Sequence, residues 1–346
     1  MRALKIILTI LILAGATVLC VVRWDAWFKN PPEPAWTGDT IDYRFFAFGD
    51  DSVPGFEYNG VDWEPLRESD TLQILLFGDV HNSVTRSQWE AVAQRHPQAD
   101  VYAQLGDFVE RGYFYYAQQL YHELNGTGFD SLPIINVPGN HEYLKGLRRT
   151  LPDYWLETFH HPLNGPQDYA GTTYYVDFPN LRVIAINTNG LQHLHELTRV
   201  NAWAKQTIKN AGDKFVIVLM HHPVHSSCEG RHNIHVSATF IRALSGADII
   251  FAGHDHNYTR RLPYVNTNAA KKAHRHKLSK RDQRVASGVQ LYESIAVYSD
   301  TLRMQTRFID SGELYDEVLI IHNEHGKQII ERVPDTPEVL IEDPRP

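Results

Sequence analysis

Six short apolar runs, rich in β-branched residues, punctuate the middle of the chain. Each ends in glycine, proline or asparagine with polar residues: LQILLF before GDVH, ADVYAQL before GDFVERG, LPIINV before PGNHE, LRVIAI before NTNG, FVIVLM before HHP, and ADIIFA before GHDH. Five or six apolar residues without alternation predict strands buried on both faces. Between them, residues 87–95, 115–124, 199–210 and 237–244 predict helices. Strands alternating with helices at this spacing predict an α/β fold. Asp79 and Asp107 are 28 residues apart, and Asp107–Asn140 and His221–His254 are each 33 apart, about one βαβ unit. Each of these polar groups then falls just past the C-terminal end of a strand, where open α/β sheets place their ligands.

The flanks read differently. Beyond Ser287 the segments IAVYS, LRMQTRFI, EVLII and KQIIERV, separated by turn residues, predict antiparallel strands. Residues 24–70 are rich in Pro, Trp and acids without a clear period, which predicts a tether with a strand or two near residues 43–49. Arg2 and Lys5 precede an uncharged apolar run over residues 6–22. At 1.5 Å per residue this run reaches about 25 Å, near the lower limit for crossing a bilayer. Residues 1–23 therefore read as a signal-anchor, or as a signal peptide cleaved near Ala14-Gly15-Ala16. The positive charge at the start keeps the N-terminus in the cytosol. The expectation is a membrane-anchored protein with its catalytic domain outside the cytosol, periplasmic or extracellular/lumenal, or a secreted one if the segment is cleaved.

Composition narrows the field. The 346 residues are 43% hydrophobic and 21% charged, which excludes a disordered chain, and two cysteines exclude a disulfide framework. The net charge of −8 argues against a nucleic-acid partner. Residues 271–284 are the exception, with seven Lys or Arg and one acid. This stretch predicts an exposed insertion loop spanning 263–288, either solvated or leaning over a cleft or onto anionic lipid. The last segment, 334–346, is a polar tail.

Histidine is abundant, 19 of 346, and much of it sits at the predicted strand ends. Asp79, His81, Asp107, Asn140, His141, His221, His254 and His256 form an all-nitrogen and oxygen set suited to two transition ions, Mn, Fe or Zn. A pair of ions needs one ligand reaching both, which a carboxylate does readily. Any one such histidine alone is more often structural; the set in this order and context reads as a hydrolytic site.

GDVH, GDFVERG, GNHE, VLMH and GHDH, in this order, resemble the signatures of the calcineurin-like metallophosphoesterases, over roughly residues 71–333. The resemblance implies a two-sheet β-sandwich flanked by helices, the four-layer α/β metallophosphoesterase fold. It implies a binuclear centre hydrolysing phosphate esters through a bridging hydroxide. It assigns Asp79, His81 and His256 to one metal, Asn140, His221 and His254 to the other, and Asp107 to both. His141 would assist the leaving group as general acid or hydrogen-bond donor. The C-terminal motifs are similar to purple acid phosphatases, yet their metal-binding Tyr is replaced by Glu110, so an iron–tyrosinate centre is not implied. GDFVERG is closer to phosphoprotein phosphatases, where Glu110 would orient His141 and Arg111 would grip phosphate. His222 is a candidate substrate contact, and His225, His232 and His235 are candidates to line the cleft. The substrate is a phosphorylated small molecule, lipid or protein. The activity expected is that of a phosphatase, with a phosphodiesterase or pyrophosphatase on nucleotide or lipid-linked substrates as one alternative and a membrane-tethered scaffold of the same fold as another. Metal identity and oligomeric state are left open.

Overall fold

The computed structural model of the chain describes residues 7, 9–15, 17, 33–40, 57–58, 61–62, 71–144, 150–159, 161–189, 194–275 and 279–332. The strand expected near 43–49 and the tail 334–346 lie outside these residues, as does most of the segment 1–23. No helix among the described residues is long and apolar enough to cross a membrane.

A two-stranded hairpin, β1 (Glu57–Tyr58) with β2 (Val61–Asp62), precedes the main body. The body is built from β3 (Leu72–Phe77), α1 (Arg86–Arg95), β4 (Val101–Gln104), α2 (Phe114–Leu124), β5 (Ile134–Asn136), α3 (Asp153–Thr158), β6 (Tyr174–Asp177), β7 (Leu181–Ile186), α4 (Leu194–Lys209), β8 (Phe215–Met220), α5 (Ile234–Ala243) and β9 (Ile249–Ala252). It continues with β10 (Asn257–Arg261), β11 (Tyr264–Asn266), β12 (Arg284–Ser287), β13 (Leu291–Val297), β14 (Thr301–Phe308), β15 (Leu314–Asn323) and β16 (Gly326–Glu331). These strands form two seven-stranded mixed sheets, ordered β16-β15-β14-β13-β3-β4-β5 and β12-β10-β11-β9-β8-β7-β6. β3, β4 and β5 run parallel in the first; β7, β8 and β9 run parallel in the second.

The uninterrupted apolar runs have the predicted cause, burial on both faces. In β8, Phe215, Ile217 and Leu219 point into the core between the sheets, while Val216, Val218 and Met220 pack under α4 and α5 beside Val200 and Phe240. In β3, Ile74 and Leu76 join the inter-sheet core, and Leu75 and Phe77 pack outward with Trp89 of α1 and Leu120 of α2. The result is the four-layer α/β sandwich, helices outside and two sheets inside.

Three expectations need correction. α4 and α5 begin earlier than their apolar patterns indicated, at Leu194 and Ile234. In α5, Asn233 supplies the start signal, its side chain accepting from the backbone of His235 and Val236. Residues 263–288 are not one exposed loop, because they contain β11 and β12. Arg284 of the basic stretch is buried in β12, its guanidinium over the Tyr315 ring and donating to the Tyr315 carbonyl. Cross-strand pairing to β10 hid these short strands from a periodicity argument.

Candidate metal centre

The ends of the parallel strands of both sheets converge on one place. Asp79 follows β3, Asp107 follows β4 and Asn140 follows β5 in the first sheet; His221 follows β8 and His254 and His256 follow β9 in the second. Glycines precede several of these residues for a steric reason. A Cβ at Gly253 would lie 2.6 Å from Asp79 Oδ2, and one at Gly139 would overlap the Asp107 backbone nitrogen. Non-glycine residues at positive φ are uncommon, and here His81, Asn82, Asp107, His254 and His256 all adopt it, at +49° to +69°. Such strain persists where surrounding structure over-determines it, as at binding sites.

Asp107 sits at the centre. Its Oδ1 accepts from the His141 backbone N–H at 2.7 Å, which aims Oδ2 between two histidine pairs. Oδ2 lies 3.5 Å from His81 Nε2 and 3.4 Å from His221 Nε2. On one side His81 Nε2 and His256 Nε2 are 3.0 Å apart, with Asp79 Oδ1 3.5 Å from His256 Nε2. On the other, His221 Nε2 lies 3.2 Å from His254 Nδ1 and 3.1 Å from Asn140 Oδ1. Asp79 also ties the sheets together, both oxygens accepting from the His254 backbone N–H at 2.8–2.9 Å.

Two ring nitrogens facing each other at about 3 Å require a proton or a cation between them. Asp79, His81, Asp107 and His256 bring ligand atoms within 4.8 Å of one another, close enough to share an ion; His221, His222 and His254 do the same, and so do His81, Glu110 and His141 at the mouth. The donor set is imidazole nitrogen and carboxylate or amide oxygen, which fits Mn, Fe or Zn.

The protonation pattern agrees. Burial acts to raise Asp107, but His221, by charge and hydrogen bond, overrides it and holds the carboxyl well below its ordinary range. Burial acts to lower His221; Asp107 wins and pushes it up to about 9. Asp79 is pushed up to about 6 by burial. Acids and imidazoles thus share protons at the places cations would fill, and an ion there would take over the protons' role.

The residues expected around the ligands divide. His141 lies at the mouth, its Nδ1 2.5 Å from the Glu110 backbone carbonyl, its ring edge-on to His81. The expectation that the Glu110 side chain orients His141 is therefore corrected: the backbone does so, and the Glu110 carboxylate lies 3.2 Å from His81 Nδ1. The sharp turn after β4 carries the carbonyl toward His141, a feature with no residue-type signal. Arg111 lines a small separate cavity of about 60 Å³ with Tyr113, His141, Tyr143 and Leu144, not the main cleft. His222 is buried, its Nδ1 2.8 Å from Thr188 Oγ1, and it lines the main cleft, as do His232 and His235. His225 lies apart, against Tyr264.

Two contributors escaped the sequence reading. Glu142, the last residue of GNHE, is buried and accepts from the backbone N–H groups of Asp107 (2.8 Å), Phe108 (2.7 Å), Val109 (3.2 Å) and Gly139 (2.6 Å). Burial, and then the Asp107 charge, raise it to about 7 against these bonds. Asp255, inside GHDH, is fully buried and accepts from Ser226 Oγ and the Ser227 backbone, fixing the loop after β8 to the turn after β9. The acid within each quoted motif was the available signal. The site opens into a cleft of about 820 Å³.

A family model of calcineurin-like phosphoesterases matches residues 72–258. No curated protein matches the chain. Among solved structures, the chain is similar to a purple acid phosphatase, PPD1, from yellow lupin seeds, with TM-score 0.56 and 13% identity over 75% of this chain and 55% of that one. It is similar to GAP50, the anchor in the inner membrane complex of Plasmodium, with TM-score 0.52 and 13% identity over 71% of this chain and 87% of that one. It is also similar to PhoD, with TM-score 0.51 and 8% identity over 78% of this chain and 73% of that one. At these identities the likeness is one of fold.

Proposed function

Because the chain belongs to the calcineurin-like phosphoesterase family, we propose that it is a metal-dependent phosphatase whose two ions share Asp107. The observation that carries this reading is the position of Asp107 Oδ2, within 3.5 Å of histidine nitrogens from both ligand groups. Asp79, His81 and His256 would hold one ion, and Asn140, His221 and His254 the other. Such a pair, when bound, would supply a nucleophile derived from water and neutralise phosphoryl oxygens.

The chain's own residues do the rest. Asp107, with Oδ1 fixed by the His141 N–H, sets the spacing of the two ligand groups. His141 keeps a proton on Nδ1 against the Glu110 carbonyl, and its ring lines the cleft. Burial draws its pKa below that of an ordinary histidine, making its second proton one that is readily given to a departing alkoxide. His222, held by Thr188, lines the cleft and would be in place to contact a bound phosphate. The substrate is a phosphorylated small molecule, lipid or protein, and no nucleic-acid partner is proposed.

A scaffold of the same fold is the second reading, favoured by the likeness to GAP50, an anchor by its description. Against it stands the complete ligand set of this chain. Phosphodiester or pyrophosphate cleavage is the alternative within the enzyme class. We also place the protein at a membrane, with the catalytic domain outside the cytosol. Ile10, Leu11, Ile12 and Leu13 are about three-fifths exposed, an apolar surface that a bilayer would cover.

The test is hydrolysis of p-nitrophenyl phosphate against bis-p-nitrophenyl phosphate by the full chain, metal-stripped and then reloaded with Mn, Fe or Zn. Metal-dependent turnover of the monoester supports a phosphatase; preference for the diester selects the alternative. No turnover with two ions bound per chain would favour the scaffold.

A further inference from the structure

Among the described residues, the lining of the 820 Å³ cleft contains no carboxylate, yet it includes Arg231 and Lys272 besides its histidines. Neither cation belongs to the ligand set. Arg231 comes from the loop after β8. Its Nη2 donates to the His254 carbonyl at 2.6 Å and lies 3.1 Å from His254 Nε2, so the guanidinium is one imidazole width from the nitrogen that faces His221. Nε has no hydrogen bond and lies 4.0 Å from Asp255 Oδ1, a carboxylate already occupied by Ser226 and Ser227.

Lys272 arrives from the other side, on the segment 271–275. This segment is a strap across the mouth of the site. The Lys271 N–H reaches Ser83 Oγ (3.4 Å), two residues beyond His81, and at the far end the Arg275 carbonyl accepts from the Glu229 backbone N–H (3.1 Å), with an Arg275–Glu229 ion pair at 3.5 Å. Between these moorings His274 lies against His256, ring centroids 4.4 Å apart. The amine of Lys272 makes no hydrogen bond or ion pair among the described residues, though its charge acts on Glu110. Two permanent cations thus flank the centre on elements joined through Glu229 and Arg275.

We propose that Arg231 and Lys272 form a second anion subsite that takes the neighbouring phosphoryl group of a diphosphate-bearing substrate. The inference rests on the phosphatase reading and narrows its substrate class. One phosphoryl group sits at the ligand cluster, where ions neutralise it. With a single phosphate at the cluster, the exposed Lys272 amine has no anionic partner among the described residues and Arg231 Nε has no hydrogen bond, with only the occupied Asp255 carboxylate at 4.0 Å; a second phosphoryl group, joined through one oxygen, would supply an anion to both. The guanidinium recognises phosphate oxygens directionally, while the amine acts as a point charge. Because the strap is moored at both ends, binding has to order the exposed Lys272 side chain but not the segment that carries it.

The experiment uses the metal-loaded full chain and two stable probes, methylphosphonate and methylenediphosphonate, titrated by calorimetry at a fixed free metal concentration. The expected preference for the diphosphonate is at least tenfold. Lys272→Ala and Arg231→Lys should each reduce that ratio about threefold or more, with metal content and melting temperature at wild-type values. Arg231→Ala, which also removes a bond to the metal-ligand loop, is read only if it passes the same checks. A ratio unchanged in both variants, or equal weakening of both probes, overturns the subsite. Failure of the phosphatase reading is distinct: absent ester turnover with the diphosphonate preference intact removes the enzyme and keeps the subsite.

Discussion

Glu142 Oε2 accepts from the Asp107 backbone N–H at 2.8 Å, so the carboxylate that reaches both ligand groups is held from behind by a second, buried carboxylate. Through Gly139 the same side chain holds the loop that carries Asn140 and His141. One acid therefore sets the relative position of three functional residues.

Glu142→Gln should weaken metal binding and activity by about 10–100-fold, as replacement of groups behind a ligand commonly does. The amide keeps the size, but its NH₂ confronts backbone donors in place of an acceptor. Metal titration followed by calorimetry checks it; affinity within twofold of the parent would remove the positioning role.

Asp107→Asn should cost both ions together, each affinity falling more than about 100-fold, because the shared ligand loses its charge. Metal content after dialysis reads the outcome. One ion retained at full occupancy argues against a shared ligand.

His141→Ala should keep metal and fold while slowing esters with poor leaving groups by about 10²–10⁴-fold, with a smaller loss for p-nitrophenyl phosphate. Glu110→Gln tests the corrected geometry. Its effect should appear in metal affinity, through His81, with the leaving-group dependence of the rate preserved. A leaving-group slope matching that of His141→Ala would restore the side-chain role.

Glu293 of β13 offers a test far from catalysis. It is fully buried, neither oxygen has a hydrogen bond of good geometry, and burial pushes it up to about 8, with the Thr267 hydroxyl offsetting part of this. The unfolded chain ionises it near 4.5. Between those values the folded state holds the extra proton, so the contribution of Glu293 to stability is full below pH 4.5 and is lost as pH rises toward 8. Glu293→Gln should abolish that slope, raising stability at pH 8–9 by on the order of a few kcal/mol with little change near pH 4.5. Melting curves across that range decide; parallel wild-type and variant profiles would refute it.

The sequence disclosed those parts of the molecule in which one residue type has one physical use. Short, β-branched apolar runs such as FVIVLM, each ended by turn residues, fit doubly buried strands best, and Asp, Asn and His at successive strand ends have few other reasons to recur. What it concealed depends on partners distant along the chain. The short strands β11 and β12 exist because β10 lies between them, and Arg284 is buried because Tyr315 lies beneath it. Orientation of His141 by a backbone carbonyl leaves no trace in residue identity, since every residue has one. Glu142 and Asp255 were visible as letters within GNHE and GHDH, but their direction, inward to backbone N–H groups, emerges only from the fold.

Each ligand group draws from both sheets: Asp79, His81, Asp107 and Asn140 from one, His221, His254 and His256 from the other. On the proposed ligand set neither half of the sandwich would hold a complete coordination sphere, so a bound metal pair would be a rivet through the seam. A substitution that lets the sheets slide would register first as lost metal, and a lost ligand would register in turn as a looser seam. If the chain turns over substrate as proposed, selection for activity and selection for folding would fall on the same handful of residues, leaving such a site little room to drift while either is maintained.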